Sequence, residues 1–195
     1  METKESNFSP QESLQLIRSM IETTKHSISD KSHYFLLWGW AVFTGCVLQY
    51  YLKVIIDYPQ HYYAWYVTPV ALVIFVFLLI KDNKKEKVKT FINEASNYLW
   101  TALGFSFMAL SFIFSKMGWQ YCYPIYILLY GVGTYVSGSL IKFRPLIIGA
   151  AFCFPLAVIT AYVQFDTQII MLAFAVLVSY IIPGHLLRMK YRKQH

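Results

Sequence analysis

Six long apolar runs divide this chain into seven polar segments. A helix that crosses a membrane needs about 20 mainly apolar residues, because it covers about 30 Å of hydrocarbon at about 1.5 Å per residue. The runs are continuous and show no alternation of period two, which favours helices over the strands of a membrane barrel. The predicted spans are residues 34–52, 63–80, 98–115, a fourth span ending near 141, then 146–163 and 168–187.

Lysine and arginine are distributed unevenly among the polar segments. In chain order the segments hold 4, 1, 5, 1, 2, 0 and 4 of them, so the odd-numbered segments carry 15 of the 17. Basic residues are retained on the cytoplasmic side of short loops. We therefore expect an even number of spans, with both termini in the cytoplasm.

The composition supports the same class of protein. Of the 195 residues, 57% are hydrophobic and 14% are charged, whereas soluble domains average about 25% charged residues. Six spans use about 120 residues, so we expect one membrane domain over 1–195. Residues 1–32 would form a short amphipathic cytoplasmic helix, and 33–193 an all-α six-span bundle with a basic tail.

The first segment contains a predicted helix with an apolar stripe. Leu14, Ile17 and Ile21 follow one another at helical spacing. We expect this helix to fold against the rest of the protein; docking to a partner, self-pairing and binding flat on the membrane are the alternatives.

The main basic loop leads into a second apolar stripe. Val88, Phe91, Ile92 and Ala95 recur at helical spacing before the third span. This pattern predicts that the third helix begins early, as a cytoplasmic extension. Its stripe would pack against the N-terminal helix and form a small cap, with Leu14, Ile17, Ile21, Phe91 and Ile92 as the candidate docking residues.

Small residues mark the predicted helix contacts. The fifth span carries Gly149, Cys153 and Ala157 at every fourth position, and the fourth span carries Gly131 and Gly138 on one stripe. Such faces let helix backbones approach closely in lipid. We expect these residues to form contacts inside the monomer, with a homodimer seam as the alternative.

The chemistry that the spans could support is limited. The central part of each run lacks Asp, Glu, Lys and Arg, which are the residues that usually mark ion pathways and proton relays in membranes. The three cysteines and five histidines lack the spacing of a metal site. We therefore expect no catalytic residues, no metal and no cofactor, and we predict that the protein is not an enzyme.

The net charge of +7 does not indicate a nucleic-acid partner, because it is concentrated at the ends of the spans and no groove-binding module precedes the first one. The expected partner of this charge is the anionic headgroup layer of the bilayer. The candidate headgroup contacts are Arg188, Lys190, Arg192 and Lys193.

Three segments carry a resemblance to other proteins. Residues 130–149, the ending 180–187 and the opening 34–40 together resemble a family of uncharacterised bacterial six-helix inner-membrane proteins of about this length. The resemblance covers most of the chain and implies a multi-pass protein of the bacterial inner membrane. The family carries no assigned activity, so it implies no functional residues.

Two functional hypotheses follow. The first is a non-enzymatic sensing or assembly component that docks a protein partner on its cytoplasmic face. The second is a small transporter or channel subunit acting as a homo-oligomer, with a pathway lined by Thr134, Ser137, Thr160 and Tyr135. Mildly polar span residues, Gln49 among them, could line a cavity, but we expect most of the span hydroxyls to bond to their own helix backbone instead.

Overall fold

The computed structural model describes residues 14–15, 32–83 and 91–192, and these residues are all-α. The long helices are α1 (Ser32–Tyr50), α2 (Val67–Asn83), α3 (Phe91–Met117), α4 (Cys122–Leu140), α5 (Arg144–Ala161), α6 (Phe165–Val176) and α7 (Ile182–Arg192). A π-helical turn, Tyr51–Ile55, extends α1. Short 3-10 helices, His61–Tyr66 and Trp119–Tyr121, precede α2 and α4. A second π-helical turn, Leu177–Ile181, joins α6 and α7 into one rod, so the described residues from 32 to 192 form six long helical bodies.

Five segments of the described chain are long and apolar enough to cross a membrane. They are His33–Ile55, His61–Lys81, Glu94–Met117, Arg144–Ala161 and Phe165–Met189. They correspond to the first, second, third, fifth and sixth predicted spans, and they extend most of those spans by a few residues. The fourth predicted span corresponds to α4, which is not among the five. Its 19 residues include four Tyr, three Gly and two Ser, which lower its mean hydropathy.

The bundle has a core of four helices and two helices at its periphery. Helices α1, α4, α5 and α6 supply most of the fully buried side chains, and α4 and α5 share the most extensive contact. Helix α2 packs on α1, and α3 packs on α4. Both peripheral helices expose apolar side chains along most of their length, such as Val73, Phe77, Phe105 and Phe112. An apolar surface of this extent is what a lipid-facing helix presents.

The glycines predicted to mark helix contacts lie where backbones meet. A Cβ atom added at Gly149 would lie 2.5 Å from the carbonyl oxygen of Val178, and one at Gly131 would lie 2.9 Å from the Cβ of Cys153. One at Gly138 would lie 3.0 Å from the backbone nitrogen of Ile147. Cys153 and Ala157, the two other predicted contact residues, are buried.

The π-helical turn in the last rod has a local cause. Pro183 follows it closely and lies inside the helix. A proline ring clashes with the carbonyl group four residues earlier and cannot donate to it, so the preceding turn widens. The widened turn packs between two helices: Gly149 of α5 lies against it on one side, and Gly39 of α1 lies against Tyr180 and Ile181 on the other.

Candidate functional site

A buried glutamine lies near the end of α1 and connects three elements. Gln49 is 3% exposed, and a buried amide needs hydrogen-bond partners. The indole Nε1 of Trp65 donates to Gln49 Oε1 at 2.7 Å, and the hydroxyl of Tyr123 donates to the same oxygen. Gln49 Nε2 lies 3.2 Å from Nδ1 of His61. We call these four residues the Gln49 cluster; they join α1, the 3-10 helix before α2 and the first turn of α4.

An ion pair lies beside the Gln49 cluster. Lys53, in the π-helical turn that extends α1, pairs with Asp166 in the first turn of α6. The Lys53 ammonium group also lies 4.5 Å from the ring centroid of Phe165. A carboxylate in the first turn of a helix is favoured by the helix dipole, and an ammonium over an aromatic ring gains cation–π attraction. Both side chains are partly exposed, so solvent weakens the pair.

The sequence alone did not predict this site. Lys53 was counted among the basic residues that indicate topology, and His61 and Asp166 had no predicted role. Gln49 was one of several mildly polar span residues that could line a cavity. A glutamine within an apolar run was an available signal, because a buried amide requires partners. Those partners could not be named, because Trp65, Tyr123 and Gln49 come from three separate parts of the chain.

The predicted docking residues are only partly described. Leu14 is helical and 58% exposed. Ile17 and Ile21 lie outside the described residues, and so does any cap that they form. Phe91 and Ile92 occupy the first turn of α3, which is one continuous helix as the sequence predicts. At 27 residues it is about 40 Å long, more than the roughly 30 Å that hydrocarbon requires.

The hydroxyls proposed to line a pathway are used inside the bundle. Thr134 donates to the carbonyl of Tyr130 and Thr160 to that of Leu156, each at 2.6 Å. Ser137 lies 3.2 Å from the indole nitrogen of Trp100. Thr134, Ser137 and Thr160 are all buried, whereas Tyr135 is 43% exposed. Three of the four residues are therefore buried and hydrogen-bonded within the bundle. Bonding of span hydroxyls to their own helix is confirmed for Thr134 and Thr160.

An apolar groove lies between α5 and the last rod. Its volume is about 140 Å³, and its wall includes Phe152, Leu156, Ile159, Phe174 and Val178. Within the described residues, no group of three His, Cys, Asp or Glu side chains could hold a metal ion. The three cysteines are buried and unpaired.

Three of the four predicted headgroup residues belong to the end of the last rod. Arg188 is exposed, and Lys190 and Arg192 belong to the same helix, α7. Lys193 lies outside the described residues.

Comparisons with protein-family models, with curated proteins and with solved structures found no match for this chain. The resemblance to a family of bacterial inner-membrane proteins therefore stays a prediction. The fold and the contacts described above are the basis for a functional proposal.

Proposed function

We propose that this chain is a six-span integral protein of the bacterial inner membrane with both termini in the cytoplasm. In this proposal it is a non-enzymatic component that senses or assembles, and it docks a partner protein on its cytoplasmic face. The inner-membrane location and the orientation rest on the resemblance and on the distribution of lysine and arginine.

The path of α4 supports a sixth span. Helices α3 and α5 are both long and apolar enough to cross, and α4 connects them through short turns at Gly118 and Lys142. It packs against both. Its 19 residues cover about 28 Å, close to the hydrocarbon thickness. A helix that lies between two spans and packs against both is best placed across the membrane with them, because Tyr123, Thr134 and Ser137 are buried in the bundle.

The observation that carries the docking proposal is the length of two helical rods. Helix α3 and the rod from Phe165 to Arg192 are each about 40 Å long and exceed the hydrocarbon thickness. The segments of these rods that are apolar enough to cross are Glu94–Met117 and Phe165–Met189, so Phe91 and Arg192 lie beyond them, and we place both ends on the basic, cytoplasmic side. These projecting turns carry Phe91 and Ile92 and, together with the predicted N-terminal stripe, supply a cytoplasmic surface for a partner.

The experiment is a comparison of two double variants in native membranes. Ile17→Asp with Ile21→Asp places two charges on the predicted apolar stripe. Ser19→Asp with Thr23→Asp places the same charge on the opposite side of the predicted helix. We expect both variants to insert at wild-type levels, because neither change lies in a span.

The readout is native mass spectrometry of the gently extracted protein after mild cross-linking. A second polypeptide that accompanies the wild type and the Ser19/Thr23 variant, and is lost from the Ile17/Ile21 variant, is the expected result. Retention by the Ile17/Ile21 variant, or recovery of the wild type without any second polypeptide, would contradict the docking proposal.

A further inference from the structure

We propose that the Gln49 cluster is a pH-sensitive latch: protonation of His61 releases the segment before α2 from α1 and α4. This inference does not rest on the docking proposal, because it depends only on contacts at the opposite end of the bundle.

The hydrogen bonds fix the orientation of the Gln49 amide. An indole N–H can only donate, so the atom of Gln49 that faces Trp65 Nε1 at 2.7 Å must be the carbonyl oxygen. The Tyr123 hydroxyl donates to the same oxygen. The amide NH₂ group therefore points at His61.

The orientation of Gln49 then fixes the state of His61. An amide NH₂ group donates, so His61 Nδ1 must accept, and its lone pair must be free of a proton. The latched histidine is therefore neutral, with its proton on Nε2. A protonated imidazole donates from both nitrogens, so Gln49 and His61 would present two donors to each other. Rotating the amide would not relieve this, because it would turn the NH₂ group towards Trp65 and Tyr123.

The charged groups around His61 define its alternative partner. Lys53 from the end of α1 and Asp166 from α6 are the charged groups that interact electrostatically with it. Two tyrosines are the titratable neighbours of His61. The ring of Tyr62 lies 6.2 Å from the imidazole on the same 3-10 helix. Tyr123 of α4 is connected to His61 through Gln49, to which both side chains are hydrogen-bonded. A protonated His61 is repelled by Lys53 and competes with it for Asp166. Protonation therefore weakens the Lys53–Asp166 pair as well as the Gln49 cluster.

The latch holds the start of α2. Trp65 packs over Gly45 of α1, and its carbonyl accepts a hydrogen bond from Thr68 at 2.7 Å in the first turn of α2. Apart from this segment, α2 packs mainly on α1 and exposes much of its surface. Release of the 3-10 helix would therefore free the first turn of α2, while α1, α4, α5 and α6 remain packed together.

The direction of the pH dependence follows from the neutral state. Only the neutral histidine fits the latch, so acidification favours the released state. A released histidine exposed to solvent titrates near pH 6.5, whereas burial and the nearby Lys53 lower the pKa of His61 in the latched state. Between these two values, each pH unit of acidification shifts the equilibrium towards release by about tenfold. The latch should be closed above about pH 7.5 and open progressively as the pH falls below about 6.5.

The test uses His61→Asn in the full chain, reconstituted in lipid nanodiscs. The Oδ1 atom of asparagine can accept a hydrogen bond near the position of His61 Nδ1, and it does not titrate in this range. Hydrogen–deuterium exchange of residues 58–68 is measured at about pH 7.5 and about pH 5.5. Comparing the variant with the wild type at each pH cancels the intrinsic pH dependence of exchange and any titration of the other histidines.

We expect equal protection in both proteins at about pH 7.5 and about tenfold faster exchange in the wild type at about pH 5.5. Equal responses of the wild type and His61→Asn to acidification would overturn the proposal. If the asparagine variant is unprotected at both pH values, the ¹⁵N spectrum of the wild-type imidazole decides. At about pH 7.5 a neutral ring with its proton on Nε2 supports the latch, and a charged ring or a proton on Nδ1 overturns it.

Discussion

At the scale of single residues, buried polar side chains are the informative feature of this bundle. Gln49, Thr134, Ser137, Thr160, Gln168 and Ser179 are buried among apolar neighbours. The threonines and Ser179 donate to carbonyls of their own helices, which needs no second element. Gln49 differs, because its partners come from two other elements, the 3-10 helix before α2 and the first turn of α4. A side chain of this kind holds elements together only while every partner is in place.

Replacing Gln49 with leucine should destabilise the protein. The change leaves the indole N–H of Trp65 and the hydroxyl of Tyr123 without their acceptor, and each buried unsatisfied donor costs about 1–3 kcal/mol. We expect the free energy of unfolding in mixed detergent micelles to fall by about 3 kcal/mol. Gln120→Leu, at an exposed position, is the matched control and should change it by less than about 0.5 kcal/mol. Equal effects of the two changes would show that Gln49 does not join these elements.

At the scale of helices, glycine decides how closely two rods approach. Gly149 allows α5 to reach the carbonyl of Val178 in the π-helical turn of the last rod. At Gly104, in the middle of α3, the position that a Cβ would occupy has no described atom within 4 Å apart from the chain neighbours and backbone of its own helix. The two residues are chemically identical and lie inside helices, so they separate the effect of close packing from that of helix propensity.

Alanine at the two glycines should therefore have opposite effects. At Gly149 the added Cβ meets backbone atoms, which cannot turn aside, and overpacking of this kind costs about 1–3 kcal/mol. At Gly104 the same change relieves the entropy cost of glycine in a helix and should stabilise by about 0.5–1 kcal/mol. Unfolding titrations of the two variants in the same micelles measure the difference. Stabilisation by Gly149→Ala would mean that α5 and the last rod do not pack as described.

At the scale of the whole molecule, the position of α4 determines the topology. Five segments qualify as spans by length and composition, and an odd number would place the termini on opposite sides. Adding α4 restores an even number and puts both basic termini on one side. Cysteine labelling in intact cells separates these two arrangements, and the native cysteines give little background because they are buried.

Gln120→Cys and Lys142→Cys place a thiol at either end of α4. We expect a membrane-impermeant maleimide to label Gln120→Cys in intact cells and Lys142→Cys only after the membrane is opened. The reason is that, in the six-span proposal, α4 crosses the membrane between these two positions. Labelling of both positions from the same side would contradict the six-span proposal while leaving the helical fold as it is.

The sequence anticipated much of the fold but little of the site. Five of the six predicted spans match apolar helices, and α3 runs without a break from Phe91 into the third span, as its stripe predicts. Val88, the first residue of that stripe, lies outside the described residues. The π-helical turns were not predicted, because they depend on a local widening that periodicity does not register. For the Gln49 cluster, only the isolated polar residue within an apolar run was visible in the sequence.

The sequence by itself determined the number and approximate limits of the apolar runs and the asymmetry of charge between their ends. These properties follow from the free-energy cost of burying polar groups in hydrocarbon. That cost depends on the residues of each segment alone and not on its contacts with other segments. Only the tertiary structure decided which polar groups satisfy one another, because those bonds join residues far apart in the chain. Gln49 with His61, Trp65 and Tyr123, and Lys53 with Asp166, became a site only when the helix ends met.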